Sequence, residues 1–119
     1  MDVDAAITVC AERFMSIPEV EALCAQLGSK DAHPLDALAL DIAQRYMGGT
    51  LSFEVADTFM NSIWSYSCSR AEIPALMYSI YQAFDAGEYR HRNDPEGTDS
   101  EIKYTRPELA RILHEAGAA

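Results

Sequence analysis

The stretch from Phe53 to Ser69 constrains the fold of this chain more than any other segment. At about 100° per residue, its apolar side chains spread over about half of a helix circumference, and polar side chains fill the other half. An apolar surface that wide must be covered by more than one neighbouring element. We therefore predict a central helix over about 53–69 in a small bundle, with Trp64 at the centre of the core.

Apolar residues at helical spacing predict three further helices before this segment. The first is expected over Val3–Phe14. The second follows a capping box at Ser16–Glu19 and is expected to end near Gly28. Pro34 begins the third helix, which the Gly48-Gly49 pair ends.

The C-terminal half is expected to contain a fifth helix and a last one. The fifth begins at Pro74, ends near Gly87, and has an apolar stripe formed by Ile73, Leu76, Met77, Ile80 and Phe84. A polar segment over Glu88–Glu101 then interrupts the periodicity. The last helix is expected to begin with a capping box at Thr105–Glu108. No strand-like alternation competes, so we predict an all-α fold: a single domain over residues 1–119, with five or six helices.

The charge of the chain is unusual. Nineteen Asp and Glu oppose nine Lys and Arg, giving a formal net charge of -10. The basic residues are scattered, which argues against nucleic acid and anionic membranes as partners. The negative surface either keeps the protein in solution or steers a basic partner towards it. An acidic N-terminus and the lack of a long apolar run predict a cytoplasmic protein.

The sequence contains no recognisable catalytic motif. Cys68 with His91 or His114 is the only conceivable thiol nucleophile pair, and Cys68 lies at the end of a helix whose dipole disfavours a thiolate. We therefore expect a protein that is not an enzyme. Cys10, Cys24 and Cys68 are far apart and lack metal-binding spacing, which predicts free thiols and no zinc site.

Four carboxylates in the polar segment could in principle bind calcium: Asp94, Glu96, Asp99 and Glu101. Their order is not that of an EF-hand, in which alternating ligands lead to Gly at the sixth position and Glu at the twelfth. We expect a solvated charged loop, with no metal and no cofactor.

The fifth helix presents an unusual set of side chains opposite its apolar stripe. Tyr78, Tyr81, Gln82, Asp85 and Tyr89 share a sector of about 100°. Tyrosine is common at interaction hot spots because it buries a large area at a small entropic cost. Acidic residues follow directly, and we include them in the predicted partner-binding site: Glu88, Asp94, Glu96, Asp99 and Glu101. The alternative is that a neighbouring helix covers this sector and that the tyrosines belong to the core.

The stretch YQAFDAGEYRHRNDPEGTDSEIKYTRPELARIL, over 81–113, resembles small acidic all-helical bacterial immunity proteins, which neutralise nuclease-type toxins. The resemblance implies a non-enzymatic inhibitor that covers a basic active site by electrostatic complementarity. The main alternative is a self-associating helical subunit or an adaptor of a larger complex, in which the tyrosines form an oligomer interface. A small enzyme with an unrecognised site is the third alternative.

Overall fold

The computed structural model describes residues 1–27 and 32–118 of the chain. Within these residues it contains six α-helices, one π-helical turn over Glu101–Thr105, and no strand. The predicted all-α fold is confirmed. The helices are α1 (Val3–Cys10), α2 (Ile17–Leu27), α3 (Pro34–Met47), α4 (Phe53–Ser69), α5 (Ala75–Asp85) and α6 (Arg106–Glu115).

Helix α4 lies in the middle of the bundle and packs against α1, α2, α3 and α5. Ser52 begins it, because the Ser52 hydroxyl oxygen accepts a hydrogen bond from the N–H of Val55 at 3.3 Å. Its inward side chains are fully buried, among them Phe59, Met60 and Ile63. The predicted central helix over 53–69 is therefore confirmed, bounds included.

The capping box before α2 also forms. The Ser16 hydroxyl accepts a hydrogen bond from the N–H of Glu19 at 3.3 Å, and the Glu19 carboxylate accepts one from the N–H of Ser16 at 2.8 Å. The predicted stop of α2 at Gly28 lies outside the described residues. Helix α3 begins at Pro34 and is followed by Gly48, as predicted.

The first helix is shorter than predicted, ending at Cys10 instead of Phe14. The chain turns there, and Met15 is buried while its N–H donates a hydrogen bond to the hydroxyl of Ser62 on α4, at 3.0 Å. Phe14 is left 63% exposed. The apolar spacing in the sequence continues to Phe14, but α1 ends at Cys10 and the chain turns so that Met15 packs against α4.

Two side chains that were expected in the core lie outside it. Trp64 is only half-buried and packs at the edge of the core, whose largest fully buried side chains are Phe59 and Phe84. Ile73 precedes α5 and is 50% exposed. The prediction that Trp64 forms the centre of the core is therefore wrong.

The start of the last helix also differs from the prediction. Thr105 is fully buried, and its hydroxyl donates a hydrogen bond to the carbonyl oxygen of Ala83 at 2.7 Å. It caps no N–H group, because the chain already turns helically from Glu101. The Glu108 carboxylate accepts hydrogen bonds from Arg111 instead of returning to Thr105. The predicted capping box is wrong.

Candidate functional site

Helices α4 and α5 lie side by side and run in opposite directions, since Trp64 contacts Tyr78 and Tyr81 while Asn61 contacts Glu88. Polar and aromatic side chains of both helices meet along this seam. We call the resulting surface the aromatic–acidic face, and it consists of Asp57, Asn61, Trp64, Tyr78, Tyr81, Asp85 and Glu88.

One half of this face is a stack of aromatic rings. The rings of Trp64 and Tyr81 are nearly parallel, with centroids 4.5 Å apart and planes 11° apart. Tyr78 stacks on Trp64 as well, at 5.3 Å and 25°. Tyr78 is 38% exposed, whereas Trp64 and Tyr81 are half-buried. These contacts hold a large apolar area in a fixed position beside solvent.

The other half is a group of carboxyl side chains. The amide nitrogen of Asn61 donates hydrogen bonds to the carbonyl oxygen of Asp57 at 2.9 Å and to the carboxylate of Glu88 at 3.0 Å. Asn61 thereby ties the start of the loop after α5 to α4. Asp85 is half-buried on the last turn of α5, where its carboxyl group interacts electrostatically with Tyr81 and Glu88.

Burial, together with the proximity of these carboxyl groups, changes their ionisation. Burial raises the pKa of Asp57 to about 8, and the nearby carboxylates of Glu88, Asp85 and Glu54 add to the shift. Burial also raises the pKa of Asp85, with Glu88 contributing and His91 opposing. The Oδ1 atom of Asp57 is buried and has no hydrogen-bond partner among the described residues. The Asp57 carboxyl is therefore mostly protonated at neutral pH, and a cation placed beside it would favour its ionised form.

Within the described part of the chain, no Lys or Arg forms an ion pair with a carboxyl group of this face. Five of the described Lys and Arg side chains form ion pairs elsewhere: Arg13 with Glu19, Arg45 with Asp4 and Asp41, Arg70 with Glu21, Lys103 with Asp94, and Arg111 with Glu108 and Glu115. A sixth, Arg106, lies over the ring of Tyr46. Arg90 and Arg92 are exposed on the following loop, and neither forms an ion pair with Asp57, Asp85 or Glu88. Most of the negative charge on this face is uncompensated.

The loop after α5 is ordered around Asp94, whose side chain is 5% exposed. Its carboxylate accepts hydrogen bonds from the Tyr104 hydroxyl at 2.8 Å and from the His91 N–H at 3.3 Å, and it pairs with Lys103. Lys103 contributes most to lowering the pKa of Asp94. The ring of His91 stacks on Tyr89 at 4.7 Å and contacts Tyr104 at 4.0 Å. Asp94 therefore stabilises the loop.

The remaining predicted site residues lie at separate places. Gln82 lines a cleft of about 380 Å³ between α5 and α6. Tyr89 is 53% exposed on the loop, and Glu96 is exposed further along it. The Asp99 carboxylate accepts a hydrogen bond from the N–H of Ile102 at 3.2 Å.

Glu101 is engaged within the protein, where its carboxylate accepts a hydrogen bond from the hydroxyl of buried Tyr46. Burial, aided by this bond, raises the pKa of Tyr46 to about 12. The predicted set is thus divided. The structure brings Tyr78, Tyr81, Asp85 and Glu88 together and separates them from the rest of the loop.

Three residues of the face were not among the predicted site residues: Asp57, Asn61 and Trp64. They lie at i, i+4 and i+7 on α4, so they share one stripe of that helix. Asp57 and Asn61 were visible in the sequence as part of the polar half of α4. The sequence does not reveal that this half lies against the tyrosines of α5.

Comparison with protein-family models, with curated proteins and with solved structures finds no match to this chain. In the described residues, no group of three or more His, Cys, Asp or Glu side chains is arranged to hold a metal ion. None of the described helices is both long and apolar enough to cross a membrane.

Proposed function

We propose that this protein is a non-enzymatic binding protein that holds a basic protein partner on the aromatic–acidic face. The observation that carries the proposal is the position of three carboxyl groups, those of Asp57, Asp85 and Glu88, beside the stacked rings of Trp64 and Tyr81. No Lys or Arg of the described residues pairs with those carboxyl groups.

The aromatic half of the face suits the holding of a bound partner, and the acidic half suits its attraction and orientation. Aromatic rings that are already stacked can be desolvated by a partner with little further loss of conformational entropy. Carboxylates beside them, on a chain with a net charge of -10, attract a basic partner and fix its register. Arrangements of this kind are typical of protein–protein interfaces, in which a few central anchors dominate the affinity.

In agreement with the resemblance to immunity proteins, we propose that the protein inhibits a basic toxin or nuclease. A nuclease binds phosphate groups with positively charged residues. A rigid negative face that covers such a site would block it without any chemical step. Charge complementarity supports an inhibitor over an adaptor between neutral proteins.

Self-association through the same face is the alternative, and the charges oppose it. Two copies that met at this surface would bring the carboxylates of Asp85 and Glu88 towards their equivalents, which is unfavourable at low salt. A heterologous partner with positive charge avoids this repulsion. Measurement of the mass in solution separates the two alternatives, since a self-associating face would give a dimer that Tyr81→Ala reduces to a monomer.

Affinity capture from the native host at low salt tests the proposal, followed by purification of the captured protein and measurement of its binding. We expect a basic partner that binds the wild type and Glu115→Gln with equal affinity, because Glu115 lies on α6 and pairs there with Arg111, not with a residue of this face. Tyr81→Ala and Asp85→Ala should bind it less tightly. Equal binding of the purified partner to all four proteins would contradict the proposal.

A further inference from the structure

We infer that the aromatic–acidic face holds the side chain of an arginine from the partner, with its apolar stem against Trp64 and Tyr81 and its guanidinium at Asp85 and Glu88. This inference rests on the proposed function. It goes further by naming the chemical group that the face recognises and by predicting that binding releases a proton.

The spacing of the two halves suits one long side chain. Tyr81 and Asp85 are separated by one helical turn on the same side of α5, which places their Cβ atoms about 5–6 Å apart. The carboxylates of Asp85 and Glu88 act on the ionisation of the Tyr81 phenol and raise its pKa, after burial itself. A side chain that lies on the rings therefore reaches the carboxylates with its end group.

The chemistry of the face favours arginine over lysine. A guanidinium is planar, stacks on aromatic rings and donates several hydrogen bonds in a fork that fits carboxylates. An ammonium group is a more strongly hydrated point charge, and it cannot present the same fork of donors to the two carboxylates. The Glu88 carboxylate is held in place by Asn61, at 3.0 Å, so an acceptor is already oriented. Arginine is also enriched among interface hot spots.

The half-buried Asp57 carboxyl couples this contact to a proton. The charged and titratable groups around it are Glu54 on α4, Tyr81 and Asp85 on α5, and Glu88 on the loop. At neutral pH its raised pKa keeps it mostly protonated. A guanidinium beside Glu88 and Asp85 offsets their negative charge, lowers the pKa of Asp57 and releases its proton to the buffer.

Two short synthetic peptides test the inference, one of alternating arginine and glycine and one of alternating lysine and glycine with equal charge. Trp64 is the only tryptophan of the chain, so its fluorescence reports binding at this face. We expect the arginine peptide to bind roughly threefold to fivefold more tightly than the lysine peptide. Asp85→Asn and Glu88→Gln should reduce this preference, while Glu115→Gln, with the same change of charge, should retain it.

Calorimetry of the arginine peptide at neutral pH, in buffers with different enthalpies of ionisation, measures the proton. The wild type should release a fraction of one proton on binding, and Asp57→Asn should release none. Equal affinity for the two peptides together with no proton release would overturn the inference and leave the proposed function standing. Binding of neither peptide would overturn the inference as well, whereas the proposed function is decided separately by the captured partner. Binding that is unchanged in Asp85→Asn and Glu88→Gln would overturn the inference by placing the peptide elsewhere.

Discussion

The carboxylate of Asp36 on α3 accepts a hydrogen bond from the backbone N–H of Met77 on α5, with 2.7 Å between Oδ1 and N. The residue before α5 is Pro74, whose side chain forms no capping hydrogen bond. The N–H groups of the first helical turn have no acceptor within the helix. A residue 41 positions earlier therefore caps α5 and fixes the helix that carries Tyr78 and Tyr81.

Replacement of Asp36 by alanine should destabilise the protein by about 1–2 kcal/mol, because the N–H of Met77 loses its acceptor. Urea unfolding followed by circular dichroism measures this. Asp36→Asn keeps a side-chain oxygen at the same position and should lose less stability. An alanine variant that unfolds at the same urea concentration as the wild type would show that this cap contributes nothing.

Gly87 lies where the end of α5 approaches the π-helical turn, and we expect Gly87→Ala to destabilise the fold. A Cβ atom there would lie 3.1 Å from the ring of Phe53 and closer still to the hydroxyl of Thr105. Overpacking of this kind costs about 1–3 kcal/mol. In a Thr105→Ala background the hydroxyl is absent, so the same substitution should cost less in thermal or urea unfolding. An equal cost in both backgrounds would contradict this explanation.

The raised pKa of Asp57 predicts a pH dependence of stability. Burial, with Glu88 and its neighbours, raises this pKa from 3.8 to about 8, so the folded protein holds a proton that the unfolded chain releases. This contribution to stability is complete below about pH 4 and is lost, by at most about 1.4 kcal/mol per pH unit, as the pH rises to about 8. Asp57→Asn should therefore gain stability relative to the wild type across this range in urea unfolding. A constant difference between the two proteins would contradict the raised pKa.

Two capping boxes explain why some helix ends could be predicted and others could not. Ser16–Glu19 and Thr105–Glu108 have the same local pattern, but only the first forms. Ser16 is exposed, so its hydroxyl is free to cap, whereas Thr105 is buried and donates its hydrogen bond to Ala83. Local sequence determines a helix end where no distant acceptor competes for the capping side chain. For Thr105 such an acceptor exists, because the carbonyl oxygen of Ala83, 22 residues earlier, accepts its hydrogen bond.

Local sequence also predicts only part of the aromatic–acidic face. Periodicity on α5 alone placed Tyr78, Tyr81 and Asp85 on one side of a helix. This periodicity could not reveal that Trp64 of α4 covers part of the same side. The apolar arc of α4 is wide, and the sequence pattern does not tell which edge of the arc lies at the protein surface. The pairing of α4 with α5 determines this, and it also adds Asp57 to the site.

An aromatic ring of the face should hold a bound partner, whereas an exposed charge on the loop should attract it before contact, so the two should affect different rates. Tyr81→Ala removes the ring that stacks on Trp64 at 4.5 Å, so it should mainly speed dissociation of a purified basic partner, at a cost of about 2 kcal/mol or roughly 30-fold. Glu96→Gln removes an exposed charge that forms no ion pair among the described residues. It should mainly slow association and weaken its salt dependence.

Stopped-flow kinetics at two salt concentrations measures both rates, with Glu115→Gln as the control of equal charge. If Glu96→Gln and Glu115→Gln slow association equally, the net charge steers the partner and the loop has no special part in it. If Tyr81→Ala leaves the dissociation rate unchanged, the aromatic stack is not the anchor.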